Sequence, residues 1–246
     1  MNNKFRPRII PTLLLSNHGL VKTIKFNDPT YIGDPINAIR IFNDKEVDEL
    51  VLLDIDATEK STDPNLNVLS DIVGECFMPL SFGGGINDLD KIREILKIGV
   101  EKIIINSAAV ENPNLIKQAA NFFGSSTIIV SIDYKKNIFN QNYVCIKSGN
   151  EKTKLNPLKW AIECEKLGAG EIILNSIDRD GTMMGYDFNL LKEVSKSISI
   201  PVIASGGAGN LSDLVKAIDY SKVSAVSAGS FFVFKGKHRA VLITYP

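Results

Sequence analysis

The 246-residue chain carries 28 basic and 28 acidic side chains and 44% apolar residues, with no Lys/Arg cluster; this suits one folded domain and argues against a nucleic-acid surface. Its three cysteines are widely spaced and form no CxxC pair, so neither a disulfide framework nor a zinc site is expected. No apolar run reaches membrane-spanning length and the N-terminus lacks the apolar stretch of a signal peptide, so a reducing cytoplasm is the expected setting.

In chain order, apolar runs of strand length fall at residues 9–15, 49–55, 77–82, 102–105, 126–132, 171–175, 201–204 and 223–227. Between them, segments 35–43, 66–75, 88–98, 113–123, 157–167, 187–197 and 211–220 space their apolar residues as a helix packed on one face does. Asp34-Pro35, Asn112-Pro113 and Asn156-Pro157 each put a capping side chain before a proline suited to the first helical turn. Strands apolar on both faces belong to a parallel sheet covered by helices. Eight strands with seven helices between them predict a (β/α)8 barrel, with an open doubly wound sheet as the alternative. Segment 26–34 is long for a connection after the first strand and is expected to be a lid or binding loop. A β-hairpin is expected around 143–147. After the eighth strand there is room for a short helix at 229–234. The final helix is therefore shortened or replaced by an extended tail, 241–246, which packs on the barrel wall or joins a partner surface.

The chain also repeats itself. Ser81-Phe82-Gly83-Gly84-Gly85 returns as Ala204-Ser205-Gly206-Gly207-Ala208, with Gly84 and Gly206 122 positions apart; Asp56 and Asp178 are again 122 apart. Ile105-Asn106-Ser107 returns near Ala228-Gly229-Ser230, with Ser107 and Ser230 123 apart. Such a duplication favours the closed barrel: one domain, 1–246, with half-barrels at about 1–123 and 124–246. The repeat breaks at Leu14, whose counterpart 119 positions on is Asp133.

Barrel ligands sit at the C-terminal ends of the strands, and the chemistry-bearing residues fall there. Gly83-Gly84-Gly85 with Asn106-Ser107, and Gly206-Gly207 with Gly229-Ser230 and Gly181, make two matching sets of backbone N–H and hydroxyl donors. Each can hold a phosphate, so the pair implies a ligand with a phosphate at each end; a single glycine pair alone would read as a tight turn. Asp54, Asp56, Asp133, Asp178 and Asp180 crowd the same rim, together with Ser148 and Thr182. A carboxylate in an apolar barrel mouth can act as general acid or base, whereas Asp54 and Asp56 also suit helix capping. At the strand starts, Arg8, Glu49, Lys102 and Glu171 alternate in sign and can close the lower mouth as an ion-pair ring, either for stability or as a gate for a small molecule. His18 and His238 cluster with nothing, and neither metal nor cofactor is expected.

Several of these stretches, among them Arg8-Ile9-Ile10-Pro11, Phe82-Gly83-Gly84-Gly85-Ile86, Ile105-Asn106-Ser107-Ala108-Ala109-Val110-Glu111-Asn112-Pro113, Ser176-Ile177-Asp178-Arg179-Asp180-Gly181-Thr182 and Ala204-Ser205-Gly206-Gly207-Ala208-Gly209, resemble the HisF family, the cyclase subunits of imidazole glycerol phosphate synthase. The resemblance runs from about 8 to 234. It implies a glutaminase subunit of the HisH type docked at the barrel bottom, and ammonia moving through the barrel to a bis-phosphorylated ribulosylformimino substrate. It further implies that Gly85, Asn106 and Ser107 hold one phosphate and Gly181, Gly207, Gly229 and Ser230 the other. Arg8, Glu49, Lys102 and Glu171 then form the ammonia gate, and Asp133 matches one catalytic aspartate.

The second catalytic aspartate of the family falls at Leu14, and a family lysine two positions on falls at Ser16. Loss of one acid–base group is expected to impair cyclisation severely, by roughly 10²- to 10⁴-fold. Leu13-Leu14-Leu15, Phe77-Met78-Pro79-Leu80 and the chain end resemble a divergent, WbuZ-type branch. That resemblance implies an ammonia-conducting subunit that serves a sugar amidotransferase in surface-polysaccharide (LPS, O-antigen) synthesis. The alternatives are a working histidine-pathway cyclase with a relocated acid–base group, Asp54 or Asp180, and a HisA-like phosphosugar isomerase.

Overall fold

Residues that are apolar on both strand faces leave the backbone only one way to bury them, a sheet closed on itself with helices outside. The computed structural model describes residues 6–60, 62–236 and 238–245. In it the barrel strands are β1 (Arg8–Ser16), β2 (Leu50–Asp54), β3 (Leu80–Gly83), β4 (Lys102–Ile105), β5 (Ile128–Lys136), β6 (Glu171–Ser176), β7 (Val202–Ser205) and β8 (Ala225–Ala228). All neighbours run parallel, and β8 closes on β1 with Arg8 opposite Ala225 and Ile9 opposite Val226. This is a (β/α)8 barrel.

Two apolar layers result. Ile10, Val51, Ile104, Ile129, Ile173, Ile203 and Ala225 fill the barrel interior, joined by Leu53 at its upper end. A larger cluster, including Leu52, Phe82, Ile103, Val130, Ile172 and Val226, lies between the strands and the helices. Alternate residues of each strand thus point into different cores.

Helices Leu66–Glu75 and Pro157–Leu167 match the expected bounds, and the other five differ by one residue at one end. Asp34 and Asn156 cap as expected: Asp34 Oδ1 accepts from Asn37 N, and Asn156 Oδ1 from Leu158 N and Lys159 N. Asn112 does not. Its carbonyl accepts from Leu115 N and its side chain makes no cap, because the preceding turn is already a short helix, Ser107–Glu111.

Further expectations are corrected. Segment 26–34 is no open loop: Gly19–Ile24 and Asn27–Gly33 form an antiparallel hairpin that extends the edge of β1, with Leu14 opposite Val21. Pro29 within the segment hid it, as proline is tolerated only at an outer strand. The third strand starts at Leu80 rather than Phe77; Phe77 is 84% exposed and Pro79 supplies only its carbonyl, to Leu50 N. The eighth begins at Ala225 rather than Val223.

The hairpin after β5 is present: Asn142–Ile146 runs antiparallel to it, with Asp133 opposite Cys145. At the chain end, helix Ser230–Val233 is followed by a small hairpin, Phe234–Lys235 with Ala240–Val241. The tail then lies on the barrel wall. Leu242 N and Thr244 N donate to the carbonyls of Val233 and Phe232, the Tyr245 ring stacks on Phe232 at 5.5 Å, and Tyr245 Oη donates to Ile9 O.

Candidate active site

The lower mouth is closed by the four charged strand-start residues. Arg8 Nη1 pairs with Glu49 at 2.6 Å and its other nitrogen with Glu171; Lys102 Nζ lies 2.7 Å from Glu171 and 3.4 Å from Glu49. Ser81 Oγ donates to Glu49 Oε1 at 2.7 Å. Two cations alternate with two carboxylates, and Glu49 and Glu171 are buried. Above the ring stands the aliphatic interior, and above that the upper mouth opens into a cavity of about 690 Å³.

Asp133 sits at the cavity floor on β5. Its Oδ1 accepts from Asn175 Nδ2 (3.1 Å) and Ser131 Oγ (3.3 Å), its Oδ2 from Asn106 Nδ2 (3.0 Å). Burial pushes its carboxyl up to about 7, against these hydrogen bonds, with Asp180 adding to the rise. A carboxyl that titrates near neutrality is suited to take or give a proton. Leu14 lines the same cavity from β1 and brings only methyl groups.

The site also holds a lysine that the sequence does not mark, facing Asp180. Lys22, on the hairpin after β1, is 5% exposed, donates to the Thr12 carbonyl and is drawn down to about 8 by burial, with Asp180 opposing. Asp180 is raised to about 6 by burial, with Lys22 opposing, and accepts from Thr23 Oγ1 at 3.5 Å. Lys22 was illegible as a site residue because the hairpin that turns it inward was itself illegible.

Both glycine sets line the cavity. Gly84 holds φ +118°, and a Cβ there would stand 2.1 Å from the Asp54 carbonyl oxygen; Gly207 holds φ +119°, with the Gly185 carbonyl 2.3 Å from the same point. Only glycine fits either turn. Gly85, Ser107, Gly181, Gly229 and Ser230 also face the cavity. Ser107 Oγ accepts from Lys147 N at 2.9 Å. Asn106 donates from Nδ2 to Asp133 and the Ser131 carbonyl, while its Oδ1 accepts from Ser107 Oγ at 3.3 Å.

Among the rim residues, Asp54, Ser148 and Asp180 face the cavity, whereas Asp178 and Thr182 do not. Asp178 Oδ2 accepts from Lys136 N at 2.8 Å, which fixes the end of β5, and Thr182 Oγ1 donates to Arg179 O at 2.6 Å. Neither therefore lines the cavity, contrary to their expected place at its rim. Asp54 caps helix Ile55–Glu59 through Asp56 N and Ala57 N. Asp56 instead ties the first hairpin down through Ser16, Asn17 N and Lys60. Among the described residues, no group of three His, Cys, Asp or Glu side chains could hold a metal, and no helix is long and apolar enough to cross a membrane.

The whole barrel, residues 8–239, matches the family described as histidine biosynthesis protein. A provisionally named imidazole glycerol phosphate synthase subunit, hisF2, of Pseudomonas aeruginosa is 52% identical over 98% of this chain and 96% of its own length. The chain belongs to the HisF family. The HisF subunit of imidazole glycerol phosphate synthase from Lactococcus lactis subsp. lactis is 43% identical over 92% of this chain and 87% of its own, and that from Petrotoga mobilis 39% over 91% and 89%. Leu14 lies on the cavity wall and faces the space that Asp133 faces.

Proposed function

We propose that this HisF-type chain accepts ammonia at its lower mouth from a HisH-like glutaminase and conducts it through the barrel, and that it supplies ammonia for amidination of a nucleotide-linked sugar by a sugar amidotransferase in surface-polysaccharide synthesis. The observation that carries the reading is Leu14: the cavity keeps Asp133 and both glycine sets but has an aliphatic side chain at the register that matches Asp133. Binding is retained where half of the paired acid–base chemistry is missing. The ion-pair ring and the Ile-lined interior support passage of neutral ammonia, which an aliphatic interior tolerates and an ammonium ion does not. Gly85, Asn106 and Ser107 on one side and Gly181, Gly207, Gly229 and Ser230 on the other are the two phosphate seats of this reading.

A second reading, a working cyclase subunit of histidine biosynthesis, is favoured by Lys22 and Asp180. They bring two groups that titrate near neutrality into the cavity where Leu14 brings none. Ammonium-dependent turnover of the bis-phosphorylated ribulosylformimino substrate by the purified chain separates the two. Binding of substrate without turnover is expected, and clear turnover assigns the chain to histidine biosynthesis.

A further inference from the structure

The tail does more than cover the barrel wall. Its hairpin turns at Gly236, and Arg239, at φ +50°, sends its side chain back over the Phe234 ring, with the guanidinium 4.4 Å from the ring centre. From there Nη1 donates to the Gly181 carbonyl at 2.9 Å and Nη2 to Ser230 Oγ at 3.4 Å. Among the described residues no carboxylate pairs with this half-buried cation; both of its hydrogen-bond partners are neutral.

The direction of these bonds has a consequence. A guanidinium only donates, so Ser230 Oγ must accept from it, and the one hydroxyl hydrogen is left for another acceptor. Ser230 is 6% exposed and lines the cavity beside Gly229. On the far side of Gly229 stands the buried Lys22 ammonium, 2.2 Å from where a Cβ on Gly229 would be. Lys22 and a free hydroxyl donor thus line one end of the cavity, with Arg239 behind Gly181 and Ser230 and Asp180 as the opposing charge. At the other end, the lysines are already matched. Lys91 pairs with Asp63 and Asp88, and Lys147 with Glu111 and Glu151.

We propose that Arg239 is a positioning residue of the second phosphate seat: it orients Gly181 and Ser230, and its uncompensated charge makes that seat the tighter of the two for a phosphate dianion. The proposal rests on the two-seat reading of the cavity. Inorganic phosphate is the probe, titrated into the purified chain and followed by phosphorus NMR and calorimetry. The wild-type chain is expected to bind two phosphates of unequal affinity. Arg239→Gln weakens the tighter one by roughly 10- to 100-fold, the scale of a charge-assisted hydrogen-bond pair, and leaves the weaker unchanged. Ser107→Ala shows the reverse pattern. Arg239→Lys keeps the charge but not the fork, and recovers part of the loss; it also serves as the test variant if the glutamine variant does not fold. Unchanged binding of both phosphates in Arg239→Gln, or in the lysine variant where that one is used, overturns the proposal. Absence of any phosphate binding by the wild-type chain overturns the two-seat reading instead.

Discussion

Leu14 and Asp133 hold matching places in the two halves of the barrel. Leu14 lies opposite Leu53 of β2 on one side and Val21 of the first hairpin on the other; Asp133 lies opposite Asn175 of β6 and Cys145 of the second hairpin. Both face the same cavity. Leu14→Asp therefore restores a symmetric pair of carboxylates. With ammonium and the bis-phosphorylated substrate, the variant should cyclise at least about tenfold faster than the wild-type chain, within the range one acid–base group contributes. A folded variant with no gain would show that another residue, such as Ser16, limits the chemistry.

Asp133 carries a testable sign. Its carboxyl is raised from 3.8 to about 7 by burial, so the unfolded chain ionises first as pH rises. The penalty is absent below about pH 4, grows between pH 4 and 7 and is complete above. Asp133→Asn removes the titrating group, and its amide nitrogen then faces one of the donors that Asp133 accepts from, a cost that does not vary with pH. The melting temperature of the variant relative to wild type is expected to rise by several degrees from pH 4 to pH 8. A gap that is flat with pH would mean Asp133 is ionised in the folded chain across this range.

The ion-pair ring makes separate claims about stability and coupling. In Lys102→Ala, the buried Glu49 and Glu171 keep Arg8, and Glu49 keeps Ser81, so the loss should be about 1–3 kcal/mol by urea unfolding, below that of a fully orphaned buried charge. In a complex with a HisH-type glutaminase, the ammonia source proposed above, the same variant should release free ammonia into solution while glutamine hydrolysis continues. Unchanged coupling would reduce the ring to a structural cluster.

Gly84→Ala tests the first glycine turn. A methyl group at φ +118° would stand 2.1 Å from the Asp54 carbonyl, and that carbonyl belongs to β2, which cannot move alone. A loss of about 3 kcal/mol or more is expected in thermal or denaturant unfolding. A variant of near wild-type stability would show that the turn between β3 and its helix is free to rearrange.

Sequence alone carried the barrel, because two-faced apolar strands alternating with one-faced helices allow few other packings, and the 122-residue repeat set which strand ends meet. It also placed Asp133, both glycine sets and the four-residue ring, since a strand's start or end decides which mouth a residue occupies. Side-chain direction was decided only in three dimensions. Asp178 and Thr182 share the motif of Asp180, yet their bonds to Lys136 N and Arg179 O turn them away from the cavity. Lys22 enters the site because an antiparallel hairpin, obscured by Pro29, folds it inward. Arg239, eleven residues beyond the last barrel strand, meets Gly181 across 58 positions of chain. Periodicity fixes which face of an element is apolar; which polar group ends beside which depends on loops and tails whose course is set by long-range hydrogen bonds with no local pattern.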